Sequence, residues 1–288
     1  MAGKQNVKEN DVRVDDDKGG ALSTLAGNEL APADFAGELG GLTDLGYSTK
    51  AEDTLVPILS ILQDNSGEVK KNHSRRLDGA ESGHLIIRSI QKLIDPKDPV
   101  LFQPCAFGHN WVAWRGEPGD GVVTGNYPFD DMPKEAEKVV EKRDDGSDAE
   151  VWKMPDGSRL VDTRYHYGYL FLADGTQMQI AIPMAGTNHA ASRGLTQLMS
   201  MQRLPGGARA PGWFCVYRLD TKYNERGTQS WYNYSISWHG WVLDRAQRDA
   251  GRLLNEMSQA NEIQADVAAE TAGNSGDAAA DDDKDIPI

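Results

Sequence analysis

The chain has 288 residues, 39% of them hydrophobic, with 44 acidic against 30 basic side chains and a net charge of −14. That is enough apolar material for one large domain or two small ones, and no stretch approaches the ~18 consecutive apolar residues of a membrane span. The N-terminal run lacks the apolar core of a signal peptide, so a cytoplasmic location is expected. Cys105 and Cys215 are then expected as small core residues rather than a disulfide.

The charge is unevenly spread. Residues 1–53 hold 5 basic and 11 acidic residues (−6), residues 251–288 hold 2 and 9 (−7), and 54–250 hold 23 and 24 (−1). Within that middle, 159–250 carries 10 basic against 6 acidic, or +4. The acidity belongs to the ends, which leaves a polyanion-binding centre open.

Residues 1–50, rich in Gly, Ala and Asp, have no sustained period and are expected to be largely disordered, with short helical turns near Leu30–Leu45. Leu55, Val56, Ile58, Leu59, Ile61 and Leu62 suit a short buried segment, and Pro57 opposes a long helix. From 84 to 127, "HLIIRSIQKLI", "VLFQPCAFG" and "HNWVAWRG" read as separate strands. The charge-dense stretch 128–150 reads as an exposed insertion. Three strands follow, joined by turns at Pro155-Asp156-Gly157 and Ala173-Asp174-Gly175. A helix is expected over 188–203, with Leu195, Leu198, Met199 and Met201 at helical spacing. "GWFCVYRLDTKY" and "SWYNYSISWHGWV" are two more strands, and a second helix spans about 243–262. The division is then 1–50, a binding domain at 51–248, a C-terminal helix at 249–264, and an acidic tail at 265–288. Many strands and few helices imply a mainly β fold, an antiparallel barrel or sandwich.

The six histidines have no metal-ligand spacing, the cysteines sit in no nucleophile motif, and "PGGARAPG" lacks the ending of a phosphate loop. No catalytic residue, metal or cofactor is assigned, and an enzyme ranks third. The aromatic residues carry more information. Trp111 and Trp114 share one strand. Tyr165, Tyr167 and Tyr169 alternate on one face of another, with Arg164 and His166 opposite. Trp213, Tyr217, Arg218 and Lys222 fall on a third, and Trp231 begins a fourth. About half of these rings are expected in a core, since a strand buries alternate residues. The others, set among cations, are candidates for stacking on bases while Arg and Lys neutralise phosphates. A carbohydrate-binding sandwich would look similar.

The C-terminus "DDDKDIPI" closes acids with an apolar tip. Asp281, Asp282, Asp283, Asp285, Ile286 and Pro287 resemble the tip of bacterial single-stranded DNA-binding proteins. There Lys284 departs from the pattern, and Ile288 stands where that family ends in phenylalanine. The stretches "TLVPILSILQDNSGEVKK", "ASRGLTQLMS" and "PGWFCVYRLDTKYNERGTQSWYNYSI" resemble single-stranded DNA-binding proteins of tailed bacteriophages, over roughly 54–241. The resemblance implies an OB-type barrel elaborated by insertions, with no catalytic activity. It also implies a role in phage DNA replication, recombination or repair inside the infected bacterial host cell. Partners would be single-stranded DNA and replication or recombination proteins gripping the tip Asp281–Ile288, with no membrane. Whether subunits form a homo-oligomer is left open. The alternative is a β-sandwich adaptor without nucleic-acid binding.

Overall fold

The structure, a computed structural model, describes residues 55–116, 121–142, 146, 148–227 and 229–267. The expectations for residues 1–50 and for the tail tip lie outside the described residues. Strands β1 (Leu55–Val56), β2 (Leu59–Ile61), β3 (Leu85–Ile87) and β4 (Lys92–Ile94) come first, then β5 (Val100–Arg115), β6 (Val122–Pro128), β7 (Glu137–Lys142) and β8 (Asp148–Lys153). Next come β9 (Arg159–Leu172), β10 (Gln177–Ala185), helix α1 (His189–Met201), β11 (Cys215–Arg226), β12 (Gln229–Trp241), helix α2 (Arg245–Gln259) and β13 (Gln264–Ala265).

Five strands make the barrel wall, in the spatial order β12-β11-β5-β9-β10, all antiparallel. By chain order these are the fifth, fourth, first, second and third, with α1 between the third and fourth. That is the connectivity of an OB barrel. The gap between β10 and β12 is filled by the segment around β2. Ala181 N donates to Pro57 O at 2.8 Å, and the Tyr234 hydroxyl donates to Leu59 O at 2.7 Å. Inside sit Phe102, Leu170, Ile180, Ile182, Met184 and Tyr217, all fully buried. Each contributes about 1.5–3 kcal/mol by leaving water.

The two strands expected between 100 and 116 are one sixteen-residue strand, β5. Pro104 donates no amide, and the register against β9 shifts between Pro104 and Ala106, a bulge that absorbs the missing bond. The turns at 155–157 and 173–175 form as expected. Gly157 and Gly175 take φ of 83° and 84°, which side chains disfavour. In each turn the aspartate accepts a backbone N–H two residues on, from Ser158 and from Thr176, both at 2.9 Å.

The charged stretch 128–150 is exposed but largely ordered. β7 and β8 form a hairpin that prolongs the sheet beyond the start of β9. Its charges pair across the hairpin, Lys138 with Glu150 and Lys153 with Glu141. Helix α2 begins at Asp244, whose carboxylate accepts the Ala246 N–H at 3.0 Å, and it buries Gly251 and Leu254. A Cβ on Gly251 would stand 2.7 Å from that of Trp213, so the glycine sets how closely α2 approaches the barrel. After α2 the chain returns to its start, and β13 pairs in parallel with β1. Residues 249–264 are thus packed into the same folded unit as 51–248. Cys105 and Cys215 are free and buried.

Candidate nucleic-acid interface

The period of β9 sorts its side chains as the alternation implies, but the tyrosine face, on the outside of the barrel, is covered. Tyr165 and Tyr167 are 2% and 7% exposed, and Tyr169 is half-buried. Leu254 and Met257 of α2 and Ala265 of β13 cover them. The Ala265 amide donates to the Tyr167 phenol, whose burial pushes it up to about 12. Tyr217 is also fully buried, edge-on to Trp238 at 5.6 Å. Tyr165, Tyr167 and Tyr217 therefore cannot stack on bases. An apolar strand face must be covered, and α2 covers this one.

The remaining candidates are scattered. Trp213 lies in the 3-10 turn Gly212–Phe214 rather than on a strand, and packs against α2. Trp114 is half-buried and lines a hollow of about 210 Å³ with Val112, Val161 and Tyr165. Arg218 is exposed, but its Nε reaches both carboxylate oxygens of Asp220 at 3.1 Å. Lys222 and Trp231 stand on the β11–β12 hairpin, Lys222 exposed and the Trp231 indole N–H buried with no partner among the described residues.

The opposite face of β9 lies in the barrel core at Leu170 and Leu172 but reaches the surface around Asp162 and Arg164. Register sets His166 beside Phe107, Arg164 beside His109 and Asp162 beside Trp111. There Arg164, Arg193 of α1 and Arg209 of the following loop line, with Phe107, a groove of about 510 Å³. No Asp or Glu lines it, and among the described residues none of the three arginines forms an ion pair. Phe107 is 53% exposed, so its ring is accessible from solvent. Thr196 of α1 also lines the groove, its hydroxyl donating to Ser192 O at 3.0 Å. The groove runs on, past Phe107 and Arg209, into an apolar hollow of about 350 Å³ walled by Met199, Pro211 and Trp213.

His166 forms the floor between the two. It is 1% exposed, its Nε2 lies 2.9 Å from the Ser192 hydroxyl, and Phe107 meets its ring edge-on at 5.3 Å. Burial, helped by the charge of Arg164, lowers its pKa to about 4. It is neutral at pH 7 and adds packing, not charge. Asp162, the acid on this face, is held by His109 Nε2 at 2.7 Å and His189 Nε2 at 3.5 Å.

Of the residues expected to bind, only Arg164 lines the cationic groove and Trp213 its apolar extension; Phe107, Arg193 and Arg209 were missed. One signal could have found the arginines. Residues 175–219 contain no Asp or Glu and four Arg, in a chain with 44 acids. A polyanion is what such a surface can hold, with a ring available to a base and guanidiniums to phosphates.

Fold and groove together define an OB-connected β protein with a cationic, ring-bearing surface. The chain belongs to the family of Pam3 phage gp34-like proteins, which it matches over residues 28–264. No curated protein and no solved structure matches it. No described helix is long and apolar enough to cross a membrane, and among the described residues no three His, Cys, Asp or Glu side chains are grouped to hold a metal.

Proposed function

We propose that this phage-family protein binds single-stranded DNA without strong sequence preference, coating it during phage DNA replication, recombination or repair in the host cell. The observation that carries the reading is the groove that Arg164, Arg193 and Arg209 line with half-exposed Phe107, with no lining carboxylate. Among the described residues none of the three arginines has an acidic partner, which leaves their charges available to a polyanion. A base can stack on Phe107 whatever its identity, because every base has a π-face. Duplex DNA buries its bases and presents only phosphates, so it gains nothing from the ring. The C-terminal tip Asp281–Ile288 then serves as a handle for replication or recombination proteins, its carboxylates and apolar end fitting a basic, hydrophobic pocket.

Fluorescence anisotropy with labelled oligo-dT and a duplex of equal length tests the reading. Single strands are expected to bind far more tightly than duplex, with binding lost at high salt. Equal affinity for the two, or no binding at low salt, would leave the adaptor reading, in which the tail is the functional element.

A further inference from the structure

We infer that a bound strand leaves the arginine groove along β5, over a ladder of rings that the insertion after β6 completes. This rests on the groove reading, but a separate observation carries it. Phe107, His109 and Trp111 alternate on one face of β5, and Phe129, just past β6, inserts its ring between the last two. Phe107 and His109 are 6.2 Å apart between centroids. The His109 and Phe129 rings stack at 3.7 Å and 14°, and those of Phe129 and Trp111 at 5.2 Å and 13°.

Phe129 is fixed at both ends of its peptide unit. Its amide donates to His109 O at 3.0 Å, and its carbonyl accepts from Trp111 Nε1 at 3.2 Å. With His109 stacked on one face and Trp111 on the other, the Phe129 ring offers no face of its own. It keeps those two rings in line, and bases stack at the ends of the ladder, on Phe107 and Trp111. Arg164 lies directly across from His109, so a cation flanks the ladder as well as the groove. The Asp162 carboxylate on this face is hydrogen-bonded to His109 Nε2 at 2.7 Å. From Phe107 to Trp111 the strand rises about 13 Å, room for more than one base.

The test is anisotropy with labelled oligo-dT of increasing length, using the parent, Phe129→Leu, Phe129→Trp and the double variant Arg193→Ala/Arg209→Ala, with a melting curve for each. Phe129→Leu keeps apolar bulk but removes the ring, and should weaken the longest strands by about tenfold while leaving the shortest unchanged. Phe129→Trp should retain long-strand affinity, and the arginine variant should lose affinity at every length. Phe129→Leu binding all lengths like the parent, or weakening all equally, overturns the ladder. So does a folded Phe129→Trp that loses long strands as the leucine variant does. A length-dependent loss beside a silent arginine variant would instead sink the groove and keep the ladder.

Discussion

Replacing Arg193 and Arg209 together with alanine isolates the electrostatic part of binding. Both side chains are exposed and neither forms an ion pair among the described residues, so no buried charge is left behind and the fold should melt as the parent does. Each phosphate neutralised on a single strand contributes about −0.7 to the slope of log affinity against log salt, so three arginines give a slope of about −2. Between 50 and 200 mM salt that slope weakens binding about 18-fold, and the double variant, with Arg164 alone, should weaken only about 3-fold over the same range. Anisotropy titrations of oligo-dT at four or five salt concentrations read both slopes. An unchanged slope in a variant that melts normally would show that phosphates do not pass through this groove, whatever the absolute affinity.

Phe107→Ala should weaken strand binding by about 1–3 kcal/mol without moving the melting temperature, whereas Tyr165→Ala should destabilise the fold by about 3 kcal/mol or more. If the two behave alike, the assignment of an open Phe107 and a covered Tyr165 is wrong. Folded His166 resists protonation until about pH 4, while in the unfolded chain it takes a proton near its ordinary 6.5. Its contribution to stability is therefore complete above pH 6.5 and is lost as the pH falls toward 4. Melting curves of His166→Gln should be flatter than the parent's across that window, and parallel curves would count against a buried neutral imidazole. Deleting Asp281–Ile288 should leave strand binding intact or slightly tighter, since it removes 4 acidic and 1 basic side chains. The same deletion should abolish capture of host replication proteins in a pull-down, and identical captured sets would reduce the tail to a solubility device.

Much of the barrel was legible because its signals are local. The two Asp-Gly turns, the alternation on β9 and the apolar spacing of α1 each depend on neighbours a few residues away. β5 was misread where a local rule met a non-local fact. Pro104 sits inside the first of the two expected strands, and the bulge against β9 accommodates it. Gly108 looks like a turn until Tyr167 lies over it, where a Cβ would sit 3.2 Å from the ring. The site failed for a related reason. Alternation says which residues share a face, not which face is covered, and the cover on Tyr165 and Tyr167 comes from residues 254–265, about ninety positions away. The arginines come from three elements, β9, α1 and a loop, and no spacing rule joins them.

The short parallel pair of β1 and β13 has a mechanical consequence. Because the strands run the same way, the chain enters at one end of the pair and departs from the other. Tension between the two termini would then slide the strands past each other, straining Leu55 against Gln264 and Val56 against Ala265 together instead of unzipping them in turn. The amide of Asp266 bonded to Val56 O, and that of Ala181 bonded to Pro57 O, lie in the same line of load. A tug transmitted along either arm meets this clasp before it reaches the barrel wall.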